Sequence, residues 1–177
     1  MSTPGLHPLL TEMDRIEIRI AALNDCAPET ARSQFRRCCG SSQWVEQMTR
    51  ARPFSDIADL EACADRIWAS CSREDWLEAF AAHPKIGDQS GNRWSKQEQS
   101  GAAIASPMIL AALAKANQDY ETKFGYTFIV CATGKSVAEM LAILEQRLGN
   151  DGESEIHNAA EQQRLIMHLR LRKLLSE

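Results

Sequence analysis

Aromatic residues make up only 6% of this 177-residue chain, and it has just nine glycines and six prolines. That shortage, beside plentiful Ala, Leu, Glu, Gln and Arg, favours helices over sheet. No apolar run approaches the roughly 20 residues that a membrane-spanning helix needs. A net charge of −4 offers no general attraction for nucleic acid or for an anionic membrane surface. The chain has no His-Glu-x-x-His, and His83, His157 and His168 lie too far apart to read as a metal-ligand spacing. A Gly-rich phosphate loop, a nucleophile elbow and a basic–aromatic stripe are missing as well. Gly134-Lys135-Ser136 matches the end of a phosphate loop by accident, because the rest of that motif is absent.

The six cysteines (Cys26, Cys38, Cys39, Cys63, Cys71 and Cys131) include no Cys-x-x-Cys. The first residues, Met1-Ser2-Thr3-Pro4-Gly5, carry no secretory pattern, and the last, Leu174-Leu175-Ser176-Glu177, no peroxisomal address. Reduced, mostly buried thiols and a cytoplasmic location are therefore expected.

Hydrophobic residues form 44% of the chain and charged residues 25%, as in an ordinary soluble domain, and the length suits one domain with a sizeable core. Residues 1–10 are expected to be loose, and 11–177 to form a single domain. Ile16, Ile18 and Ile20 alternate with charged residues, so that segment reads as either a short strand or part of a helix. A helix is expected from Pro28 to Cys39, stopped by Gly40, and another capped by Ser41 or Ser42. After Arg52-Pro53-Phe54 breaks the chain, Ser55 or Asp56 starts a helix to about Cys71. Ser72 to Asp75 then caps a short one. Ser95-x-x-Glu98 and Ser136-x-x-Glu139 are capping-box signals, opening helices to about Ala105 and Leu148. Ser106-Pro107 starts a helix that Gly125 ends, Phe128 to Cys131 reads as a buried extended connection, and the last helix runs to about Leu175. The expected fold is all-α, a single-domain multi-helix bundle.

The candidate site is the stretch from His83 to Gln99. Pro84 pushes its predecessor out of the helical region, so a helix through Ala79-Phe80-Ala81-Ala82 should end beside His83. That leaves an imidazole, the usual acid/base near neutral pH, facing a loop; a helix-capping or core histidine is the plainer alternative. Glu98 and Gln99 fall in the first turn of the next helix, where free N–H groups hold anions. Glu98 is equally the reciprocal partner of a cap, and Gln99 offers the donor and acceptor that suit an amide or urea. Arg170 lies beside the apolar stripe of the last helix, either snorkelling or poised to bind a carboxylate.

Several pieces match one family pattern in order: Cys38-Cys39-Gly40-Ser41-Ser42-x-Trp44-Val45, Arg52-Pro53-Phe54, Ala79-Phe80-x-x-His83-Pro84-x-Ile86-Gly87-Asp88 and Ser95-x-x-Glu98-Gln99. Asn117-x-x-Tyr120-x-x-Lys123-Phe124-Gly125-x-x-Phe128-Ile129-x-Cys131, Arg147-Leu148-x-Asn150 and Ile166-x-x-x-Arg170-Leu171 complete it. The chain resembles 2-oxo-4-hydroxy-4-carboxy-5-ureidoimidazoline (OHCU) decarboxylase, of urate degradation, over about residues 24–175. The resemblance implies an all-helical fold, often dimeric, acting without a cofactor or metal on OHCU to give (S)-allantoin and CO2. It assigns catalysis to His83, Glu98 and Arg170, and substrate binding to Pro84, Ser95, Gln99 and the Ile129-Val130 backbone. His83 would handle the substrate hydroxyl proton, Glu98 would orient the ureido and ring nitrogens, and Arg170 would neutralise negative charge. Gln89 to Trp94 is short, which implies a lid differing from that of other members. Two other readings remain open: a helical interaction module in which these residues are structural, and a hydrolase acting on a related ureide.

Overall fold

The computed structural model describes residues 11–85 and 106–177, so the expectations for residues 1–10, for the 89–94 lid and for the helix from Ser95 to Ala105 lie outside the described residues. Eight helices and no strand occur among the described residues. They are α1 (Glu12–Asp25), α2 (Pro28–Cys38), α3 (Ser42–Arg50), α4 (Ile57–Ser70), α5 (Arg73–Ala81), α6 (Pro107–Phe124), α7 (Val137–Arg147) and α8 (Gly152–Ser176).

Most helix starts follow local chemistry. Ser41, Asp56, Ser106 and Asp151 each accept a backbone N–H from the first turn, and Ser72 and Ser136 form full capping boxes with Asp75 and Glu139. Thr11 and Asp14 form a third box, and this one settles the ambiguous segment: Ile16, Ile18 and Ile20 belong to a helix. The inward positions there are Ile20 and Leu23, with Ile16 packed against the core and Ile18 exposed, a spacing of four and three rather than two. The alternation was incidental to the fold.

Two glycines expected to end helices behave differently. Gly125 sits just past α6 at φ +81°, the left-handed conformation that a residue without Cβ adopts freely. Gly40 does not stop α2, which ends on Cys39 in an extended conformation. Gly40 is needed for space: a Cβ there would lie 2.4 Å from the Ala82 Cβ, at the end of α5.

The long helix α8 is the spine, packing against α1, α2, α4 and α5. Its buried stripe runs Ile156, Ala159, Ala160, Gln163, Ile166, Met167, Arg170, Leu171 and Leu175. Trp68 on α4 donates its indole N–H to the Ala160 carbonyl at 3.0 Å, tying the spine to its neighbour. Phe35, Trp44 and Phe54 form an edge-to-face cluster on the α2–α3 side. α6 and α7 pair with each other, and the Phe128–Val130 connection between them is buried and neither helix nor strand. All six cysteines are free; burial raises Cys39 to about 12 and Cys71 to about 11, which makes both poor thiolates.

Candidate active site

The end of α5 is positioned from both sides. The Ser72–Asp75 capping box starts the helix, and Pro84, which cannot continue it, follows the last turn, where the His83 N–H still reaches the Phe80 carbonyl at 3.1 Å. Gly40 lets that turn approach the α2–α3 corner. Beyond Pro84, Lys85 reaches Glu121 on α6 at 2.8 Å, so the segment bridges α5 and α6. His83 and Pro84 are half-buried.

The His83 side chain turns toward the spine. Its Nε2 lies 2.6 Å from the Gln163 side-chain oxygen Oε1. An amide oxygen only accepts, so Nε2 carries the proton and Nδ1 of the neutral ring keeps its lone pair. Loss of solvation and the positive charge of Arg170 both disfavour the imidazolium; the Gln163 bond opposes them, and the pKa falls to about 4. His83 is therefore a neutral base at neutral pH.

Arg170 stands seven residues beyond Gln163, nearly two full turns, and so on the same face of α8. It is buried, with 6% of its surface exposed, which rules out a snorkelling side chain whose head reaches water. Its charge is felt at His83 and at Cys38 and Cys39. The contact across the end of α5 and α8 is thus His83 with Gln163, and the Arg170 charge acts on it from the same face of α8.

The Ile129-Val130 stretch is fixed by the same helix and its neighbour. Gln162, adjacent to Gln163, accepts the Cys131 backbone N–H at 3.0 Å. Arg147 donates to the Ile129 carbonyl at 2.7 Å, lies over the Phe128 ring, and is held in turn by Glu155 through its Nε at 2.7 Å. Burial raises the Glu155 pKa, but bonds from Arg147, Tyr120 and Asn150 outweigh that, and its carboxyl stays below its ordinary value. The pair is ionised and almost wholly enclosed, an arrangement tolerated only where every polar atom finds a partner.

The structure thus joins His83 to Gln163 on α8, puts Arg170 near enough for its charge to act on His83, and ties Cys131, next to Ile129-Val130, to Gln162 on the same helix. Ser95, Glu98 and Gln99 lie outside the described residues. The other histidines among the described residues are engaged elsewhere: His168 with Asp65 at 2.6 Å, and His157 edge-on against Trp76. Sequence reasoning missed Gln162 and Gln163, which sit in the polar run Glu161-Gln162-Gln163-Arg164 and look like a solvated face. The available signal was register, because Gln163 occupies a position in the apolar stripe that ends on Arg170 and Leu171.

A neutral base under the influence of a buried guanidinium can take a proton from a substrate while a negative group is held in place. The family model described as OHCU decarboxylase matches residues 24–172. The uric acid degradation bifunctional protein of Arabidopsis thaliana is 38% identical over 159 residues, covering 85% of this chain and 49% of that protein, so the chain spans about half its length. The OHCU decarboxylase of Haloferax volcanii is 25% identical over 164 residues, 90% of this chain and 98% of that one. A crystal structure of OHCU decarboxylase in the presence of (S)-allantoin superposes with a TM-score of 0.75 at 38% identity, covering 86% of this chain and the whole of that one. By sequence over most of its length and by fold, this chain belongs to the OHCU decarboxylase family.

Proposed function

We propose that this chain decarboxylates OHCU to (S)-allantoin and CO2, without a cofactor, using His83, Glu98 and Arg170. The observation that carries the reading is His83, held by Gln163 on the last helix and kept neutral by burial and by the charge of buried Arg170, in a chain of this family.

The chemistry suits such a site. Decarboxylation needs somewhere for the bonding electrons to go, and OHCU has a C=N beside the carboxylated carbon. As the C–C bond breaks, its electron pair moves toward that nitrogen, which takes up a proton and leaves an ene-ol. Protonation of the neighbouring carbon and loss of the hydroxyl proton then give the carbonyl of allantoin. Overall, one proton replaces the departing CO2. In this reading His83 Nδ1 accepts the hydroxyl proton and Arg170 neutralises negative charge on the substrate. Glu98, Gln99 and Ser95 hold the ureido and ring nitrogens, and Pro84 and the Ile129-Val130 backbone shape the pocket around the planar ring.

The same reading takes residues 11–177 as one domain acting in the cytoplasm as a homodimer. Free cysteines support the compartment, and no described helix is long and apolar enough to cross a membrane. The dimer rests on the family resemblance alone.

The test is a product balance. OHCU is made freshly from urate by the two upstream enzymes, and the protein is added. Released CO2 should match the OHCU consumed, at a rate well above spontaneous decay. Release of urea or ring opening without extra CO2 would replace the decarboxylase with a ureide hydrolase.

A further inference from the structure

Among the described residues, four side-chain atoms are buried without a hydrogen-bond partner: Asn117 Oδ1, Tyr126 OH, Thr127 Oγ1 and the amide nitrogen of Gln163. The last stands apart. An amide oxygen such as Asn117 Oδ1 tolerates an idle lone pair and a hydroxyl brings one donor, but a carboxamide –NH2 brings two, and leaving both unmet in a solvent-free position is costly. Gln163 is fully buried. The other end of the same carboxamide is already committed, because Oε1 receives the proton on His83 Nε2. The idle amide group therefore lies one carboxamide's width from the atom that holds the imidazole, on the helical face that also carries Arg170.

A donor left unmet beside a base and a buried cation marks a place where an acceptor is missing. That acceptor is an oxygen reaching the Gln163 amide beside His83, on the α8 face that also carries Arg170. We propose that the Gln163 carboxamide has two roles: its oxygen holds His83 as the Nε2–H tautomer with Nδ1 free as the base, and its amide group donates to an oxygen of the bound substrate. The substrate class that fits is a carboxylated, hydroxylated ureide ring, so this assignment rests on the proposed decarboxylase reading and adds a substrate contact to it. Gln163 positions the base and touches the substrate through one group, and it thereby couples the placing of the reacting oxygen to the orientation of the imidazole.

Two variants separate the roles. Gln163→Glu keeps an oxygen on His83 Nε2 and replaces the donor with a second oxygen. Gln163→Leu, close in size, removes both. Side-chain nitrogen-15 NMR above about pH 8, where an imidazole is neutral, reads the His83 tautomer in the resting protein and needs no turnover. The wild type and Gln163→Glu should show the Nε2–H form, and Gln163→Leu a mixture. In steady-state assays with OHCU, Gln163→Glu should raise KM by at least about tenfold through loss of a donor facing a charged substrate. Gln163→Leu should also lower kcat by about tenfold or more, because the base is no longer oriented. A change in folding alone would shift thermal stability without altering the tautomer or dividing KM from kcat in this way.

An Nδ1–H tautomer in the wild type would overturn the positioning role, and an unchanged KM in Gln163→Glu would overturn the substrate contact. Failure of the wild type to turn over OHCU would count against the decarboxylase itself, and the tautomer measurement would still decide the role of Gln163 toward His83.

Discussion

A histidine whose pKa is lowered to about 4 is deprotonated across the whole physiological range, so its Nδ1 lone pair is open to a substrate proton. A bound anion beside it would raise its basicity. Loss of solvation does most of the lowering, and the Arg170 charge adds to it. Replacing His83 by Asn, which can still bond to Gln163, should lower turnover by about 10²–10⁴-fold while leaving the helical circular dichroism unchanged. The shifted group also leaves a mark on stability. Its folded-state pKa lies below the unfolded value, so on acidification the unfolded chain takes the proton first. The contribution is therefore fully present above about pH 6.5 and is lost as pH falls from there toward 4. For a half-buried ring partly screened by solvent, this is on the order of 1–2 kcal/mol. Urea unfolding at about pH 7 and pH 5 should show that loss in the wild type and a smaller one in His83→Asn; equal losses would mean that His83 is not held neutral.

The end of α5 depends on a neighbour that makes no hydrogen bond to it. Gly40 leaves room where a Cβ would meet the Ala82 Cβ, one residue before His83. Gly40→Ala should therefore push the last turn of α5 aside. The expected cost is about 1–3 kcal/mol of stability, as for overpacking, together with a fall in kcat of about tenfold or more from a misplaced imidazole. A variant with wild-type stability and rate would show that the two segments part freely. The sequence identified Gly40 but assigned it a conformational role, because a glycine after a helical pattern usually marks a helix end and close approach leaves no trace in one dimension. Local signals served better where the partner was also local. The Ser136–Glu139 box, the Ser106-Pro107 start and the Gly125 stop all emerged from residues within a few positions of each other. For α1 the local signal misled, because three isoleucines at even spacing imitate a strand and the Thr11–Asp14 box went unread.

At the scale of the molecule, α8 organises everything else. It carries the buried stripe against which four helices pack, and along it Gln162, Gln163 and Arg170 address the Cys131 backbone and the His83 side chain. The all-α class was legible from composition and periodicity, and His83 and Arg170 stood out as candidates through the Pro84 helix end, the apolar stripe of the last helix and the family pattern. Which polar residues of α8 turn inward was not, since that depends on α5 and the 128–131 segment arriving from elsewhere in the chain. The buried Arg147–Glu155 pair shows the same limit: its members stand eight residues apart, but their work is to hold the Ile129 carbonyl.

The central claim is that this assembly decarboxylates OHCU and delivers the final proton to one face of the product, with His83 as the base. Protonation free in solution can occur on either face and gives a racemate. Circular dichroism of the product, followed for wild type and His83→Asn on freshly generated OHCU, tests the claim most directly. The expected result is a growing (S)-allantoin signal with the wild type and near-racemic product, at the spontaneous rate, with the variant. A racemic product from folded wild type, or an undiminished (S) signal from His83→Asn, would contradict it.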